Sequence, residues 1–236
     1  GELTMTDGTI SVMRNWLRGN NSIFTGGAGT VIFNGTEQNI FGGNFANVLF
    51  ANNGLKTVLG NIVVTDSLHI AENVTLNIAS FTCNVGGNWS NEGQLISTGT
   101  INFDRSSSQV ISSGKFNNVS FSGAGTKKLF GILSFHNVSI NDSTVDGGTS
   151  IDSVSGNWNN NGIFHSSGVV VFNGTSPQQI SQSEFNNIAF IGSGVKTALG
   201  SLNILGNVTL YNTAHFNAGN FEHYVGGYWT KTAGSI

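Results

Sequence analysis

Asp142, Asp146 and Asp152 are the one local concentration among the twelve acidic residues of this 236-residue chain. A carboxylate cluster can hold calcium through about six to eight oxygens. Paired across a β-helical face, carboxylates can also cleave glycosidic bonds, which makes a polysaccharide-degrading enzyme the catalytic alternative. These three stand in SINDSTVDGGTSIDSVSG, a run of turn formers, where capping of backbone N–H groups is the expected role. His69, His136, His165, His215 and His223 share no zinc-ligand spacing, and no GxSxG nucleophile turn occurs. Cys83 is the sole cysteine, so it is expected as a small buried side chain. We therefore assign no catalytic, metal or cofactor residue and expect a non-enzyme.

Composition narrows the partners. Charged residues are 9% of the chain and its net charge is −3, with nine scattered Lys and Arg, so no basic field awaits nucleic acid. No apolar run reaches the roughly 20 residues of a membrane helix, and no membrane insertion is expected. The opening GELTMTDGTI lacks the basic and apolar regions of a signal peptide, and a first residue Gly1 is expected of a processed or excised chain.

The elements that would position any site come from a repeat. Trp16, Trp89, Trp158 and Trp229 are 73, 69 and 71 positions apart, each four residues after Val12, Val85, Val154 and Val225. Asn15, Asn88 and Asn157 precede the first three tryptophans. Downstream, GTVIFNGTEQNI, GTINFDRSSSQVI and GVVVFNGTSPQQI align Phe33, Phe103 and Phe172. FANVLF, FNNVSF and FNNIAF then align Phe45, Phe116 and Phe185, and Phe50, Phe121 and Phe190. GLKTVLG, GTKKLFG and GVKTALG align Lys56, Lys127 and Lys196. Repeats run approximately 16–88, 89–157 and 158–228, with partial repeats at 1–15 and 229–236.

Inside a repeat the apolar residues alternate with polar ones in short runs that end at Gly, Asn or Asp, the pattern of strands with one buried face. The chain is read as all-β: one continuous single-stranded β-solenoid over 1–236, with the right hand expected and about three coils per ~71-residue repeat. Each coil then takes roughly 24 residues and stacks at ~4.8 Å. Tandem small β-sandwiches are the alternative, disfavoured because no charged or Pro-rich linker separates the repeats. The repeated Phe and Trp are expected in the core, equivalent rings forming one internal row. Asn15, Asn88 and Asn157 are expected to form a ladder at one corner, and the three lysines a solvated row. Sequons at Asn20, Asn34, Asn73, Asn88, Asn118, Asn137, Asn141, Asn173 and Asn207 permit glycosylation, in about the number composition alone produces.

The segments GGNWSNEG, GTVIFNGTEQNI, FNNVSF and NVTLNIASFTCNVGGNW resemble the β-helical repeat regions of bacterial and archaeal secreted surface proteins of the adhesin-like kind, which carry GNWxNNG and FNGxxxQxI segments. The resemblance implies secretion, an extracellular or cell-surface location, and a stalk or filament role. The function expected is a structural or adhesive module that associates with itself end to end or continues in a longer chain, with surface glycans as further partners. A carbohydrate-binding and an ice-binding solenoid are the alternatives.

Overall fold

The computed structural model describes residues 1–19 and 21–232. These residues hold strands and turns but no helix, and parallel strands stack as a β-solenoid of about 12 turns. Two compact units are distinguished: residues 1–105 with 109–117, and residues 106–108 with 118–236.

In the first unit each coil has three sides. The first side is built from Glu2–Thr4, Ile23–Thr25, Gly43–Phe45, Ile62–Val64, Thr82–Val85 and Thr100–Phe103. The second contains Thr9–Val12, Thr30–Phe33, Asn47–Phe50, Leu68–Ile70 and Trp89–Asn91. Glu37–Ile40, Gly54–Val58, Val74–Ala79 and Gln94–Ser97 make the third. The second unit repeats the plan. Ile151–Val154, Val169–Phe172, Asn187–Phe190, Val208–Leu210 and Trp229–Lys231 form one side. Trp158–Asn160, Gln178–Ile180, Val195–Ala198 and His215–Asn217 form the next. Thr144–Asp146, Ile163–His165, Ser183–Phe185, Leu202–Ile204 and Tyr224–Val225 complete it.

Alternation decides which side chains enter. In Val74–Ala79, Val74, Leu76 and Ile78 are buried while Thr75, Asn77 and Ala79 are half-buried on the outside. Strands this short close a coil because β-branched and aromatic residues suit a pleated surface, and Asn or Gly at the corners accepts positive φ. Asn52, Asn73, Asp142 and Asn212 all turn in that way.

The coils are shorter than the expected 24 residues. Val31 pairs with Val48, 17 positions on, and Leu68 with Trp89, 21 positions on. From Trp158 to Trp229 the chain advances eleven strands, so with three strands per coil that repeat winds one side short of four coils. Equivalent residues therefore change sides. Trp16 bridges Ile40 on the third side of its unit, whereas Trp89 lies on the second. Trp158 pairs with Ile180, and Trp229 with Val208 on the preceding side.

This corrects the expectation of one internal row of equivalent rings. Each repeat instead gathers its own aromatics into a cluster. Trp16, Trp89 and Trp158 meet Phe45, Phe116 and Phe185 at 5.7, 5.5 and 5.5 Å between ring centroids. They meet Phe33, Phe103 and Phe172 edge-on at 6.1, 5.9 and 6.2 Å. Phe33 then stacks on Phe50, and Phe172 on Phe190, one coil away. Phe121, in the second unit, meets Phe135 edge-on at 6.3 Å. Each buried ring removes enough apolar surface from water to contribute about 2 to 3 kcal/mol. Trp89 and Trp158 are buried, Trp16 is half-buried, and Trp229 is 49% exposed.

Candidate functional site

The repeated glutamines and lysines face inward. Gln38, Gln109 and Gln178 are buried, and each Nε2 donates to two carbonyls of the preceding coil: Val12 and Arg14, Val85 and Gly87, Val154 and Gly156. One coil later stand lysines that the charge pattern placed in solvent, and here that expectation is overturned: Lys56, Lys127 and Lys196 have no exposed surface. Their ammonium groups donate to corner carbonyls. Lys56 Nζ reaches Asn52 and Asn53, Lys127 Nζ reaches Gly123 and Gly125, and Lys196 Nζ reaches Gly174, Gly192 and Gly194 at 2.9, 3.0 and 2.7 Å. Gly54, Gly125 and Gly194 make this corner possible, because a Cβ at each would come within 2.0 Å of the Thr36, Ser107 and Ser176 carbonyl oxygens beneath. Burial lowers the ammonium pKa of Lys56, and brings that of Lys196 to about 8.

Asn15 and Asn88 precede tryptophans on different sides, so Asn15, Asn88 and Asn157 do not form the ladder expected at one corner; each instead ties its coil to the next. Their Oδ1 atoms accept the backbone N–H of Asn39, Val110 and Gln179, each at 2.9 Å. Asn137 and Asn207 do the same for Asn157 and Tyr228. Among the sequons, Asn73, Asn88, Asn173 and Asn207 are exposed, while Asn34, Asn118, Asn137 and Asn141 are half-buried. Asn20 lies outside the described residues.

The aspartate cluster divides. Asp146 Oδ1 accepts the Gly148 N–H, a turn cap. Asp142 sits at a positive-φ corner. Asp152, by contrast, is buried with its Oδ1 lacking a hydrogen-bond partner, and desolvation raises its pKa to about 7. It stands six residues before Trp158, where Cys83 stands before Trp89. Cys83 is buried as expected, and desolvation pushes its thiol up to about 12. Among the described residues no three His, Cys, Asp or Glu side chains converge as a metal site.

Polar side chains meet instead on the outside of the second unit. His165, Ser183, Glu184, Leu202, Asn203 and Tyr224, from four successive strands of one side, line a groove of about 910 Å³. Glu184 and Asn203 are register partners, as are Asn203 and Tyr224. Glu184 lies between its neighbours along the row: its Oε2 accepts the Asn203 amide at 2.7 Å, and its Oε1 lies 3.8 Å from His165 Nδ1. Underneath, Ser183 Oγ accepts Trp158 Nε1 at 2.9 Å and the Asn160 amide at 3.0 Å, which fixes the floor. At the far end His223 Nδ1 accepts the Leu202 N–H and its Nε2 lies 2.8 Å from the Ala218 carbonyl, so the proton belongs on Nε2. Tyr224 is 61% exposed. Glu222 completes the pair of carboxylates on the wall.

In the sequence His165 and His223 share no ligand spacing, and Glu184, Asn203 and Tyr224 belong to no motif. Their coil spacing was the missing signal, because residues 19 to 21 positions apart become neighbours only once the register is known. No family model, curated protein or solved structure matches the chain. The chemistry on offer is hydrogen bonding by a carboxylate, an amide and an imidazole beside an exposed phenol ring.

Proposed function

We propose that this chain is an extracellular, cell-surface β-solenoid with a structural and adhesive role, working by display and binding without turnover. The observation that carries the reading is where the repeated polar residues spend their hydrogen bonds. The repeated Gln and Asn bind the adjoining coil, the Lys binds corner carbonyls of its own coil or the preceding one, and what recurs in sequence thus maintains the column. The outer surface carries polar groups, most of them uncharged, and a recurring apolar residue before a Gly: Leu59, Phe130 and Leu199, 38%, 56% and 50% exposed. Such side chains suit lateral or adhesive contacts more than a solvated surface. Parallel coils also offer open hydrogen-bonding edges, which favours end-to-end association of copies or continuation in a longer chain.

Protease treatment of intact source cells tests the location. Loss of the protein from unlysed cells is expected, and its retention until lysis would overturn the surface reading. Negative-stain images of purified protein test self-association: unbranched fibres are expected, and discrete particles at all concentrations would remove the end-to-end part.

A further inference from the structure

The outward row His165, Glu184, Asn203 and Tyr224 is absent from the equivalent strands of the first unit. A constant shift of 140 residues superimposes Ile23–Thr25, Gly43–Phe45, Ile62–Val64 and Val85 on Ile163–His165, Ser183–Phe185, Leu202–Ile204 and Val225. Inward residues survive the shift: Phe24 and Phe164, Phe45 and Phe185, Val64 and Ile204, Val85 and Val225. Outward, Thr25, Asn44, Val63 and Asn84 give way to His165, Glu184, Asn203 and Tyr224. Folding needs only the first set, since the first unit forms its coils with the plain row.

From this we infer that the groove of the second unit is a binding site for one extended, uncharged polysaccharide chain. The row places one polar group per coil at intervals of about 4.8 Å, close to the length of a single pyranose unit in an extended chain. Sugar hydroxyls both donate and accept, and the row supplies acceptors at Glu184 and donors at Asn203 and His165. Glu184 is already oriented by its neighbours, so little side-chain order is lost on binding. The exposed Tyr224 ring offers a flat apolar face for the C–H side of a sugar. Glu184 and Glu222 on the wall repel a polyanion, which sets the ligand class as neutral.

The inference rests on the adhesive reading and is tested apart from it. The whole chain is run in native gels cast with hydroxyethyl cellulose, glucomannan, xylan or, as the anionic control, alginate. Retardation in at least one neutral gel is expected, with none in alginate. Tyr224→Ala weakens it about tenfold, the usual scale for removing an aromatic anchor. Glu184→Gln, which keeps the shape of the side chain, also weakens it, while Asn44→Ala and Asn84→Ala on the plain row leave it unchanged. If Tyr224→Ala lowers the melting temperature, Glu184→Gln alone decides. Free migration in all three neutral gels, retardation in alginate alone, or retardation indifferent to the groove variants overturns the inference. Such a failure leaves the surface reading standing, because protease treatment of cells decides that separately.

Discussion

Residues 23–85 and 163–225 run through the same strands at the same spacing, yet the groove of the later stretch is lined by His165, Glu184, Asn203 and Tyr224, whereas the smaller groove of the earlier one is lined by Gly42, Gly43 and Asn61 beside Arg18. Phe45 and Phe185 each pack against their Trp, at 5.7 and 5.5 Å. Asn44 and Glu184, one residue earlier, point the other way and share no chemistry beyond polarity. A half-buried strand thus keeps two separable records, one governed by packing and one free to acquire a ligand. At Cys83 and His223 the two records mix: a buried thiol in one copy becomes a hydrogen-bonded imidazole in the other.

The sharpest way to break the equivalence is through the inward positions. Phe45→Ala and Phe185→Ala are each expected to lose about 3 to 5 kcal/mol in urea unfolding, since both leave a cavity beside a Trp. Losses that differ by more than about 2 kcal/mol would show that the two interiors are packed differently.

Asp152 gives the next largest effect. Its folded pKa of about 7 lies above the ordinary 3.8, so the protein binds the proton more tightly when folded. The stability it contributes is full below the ordinary value and is lost as pH rises towards 7, by roughly 4 kcal/mol in all. Unfolding measured from pH 4 to pH 7 should show this decline in the native chain, and Asp152→Val should flatten it. A native profile that stays level over that interval would contradict the buried, unpartnered carboxyl.

Lys196 works in the opposite sense at higher pH. Its folded pKa of about 8 lies below the ordinary 10.5, so the stability that Lys196 contributes rises with pH between those values, against the opposite contribution of Cys83 above pH 9. The slope is at most about 1.4 kcal/mol per pH unit, and Lys196→Met should remove it. Lys56, lowered in the same direction at the equivalent corner, should retain its share in that variant. A rise unchanged by Lys196→Met would mean that another group carries it.

Smallest of all are the outward changes. Glu184→Gln and Asn44→Ala should each shift stability by no more than about 0.5 kcal/mol in thermal melts, since both side chains lie outside the packed core. A large loss from Glu184→Gln would make the groove row part of the scaffold.

Much of the solenoid was legible in the residues. Alternation in VTLNIA marks one buried face, and Asn ahead of Trp at 15, 88 and 157 marks a corner bond to the next coil. The lysines misled because charge ordinarily means solvent, and nothing local announces that Asn53, Gly125 and Gly194 turn carbonyl oxygens towards an ammonium group. The groove was hidden for a different reason. A search for repetition emphasises what recurs, whereas His165, Glu184, Asn203 and Tyr224 are where recurrence stops.

The eleven strands from Trp158 to Trp229 and the three sides of a coil have no common factor. In any run of such repeats whose coils stay in register, a residue written once per repeat steps round by one side each time and regains its first bearing only after three. A decoration encoded in every repeat would spiral about the column and meet neighbours from all directions. One confined to a single repeat, as the row from His165 to Tyr224 is, gives that stretch a front and a back.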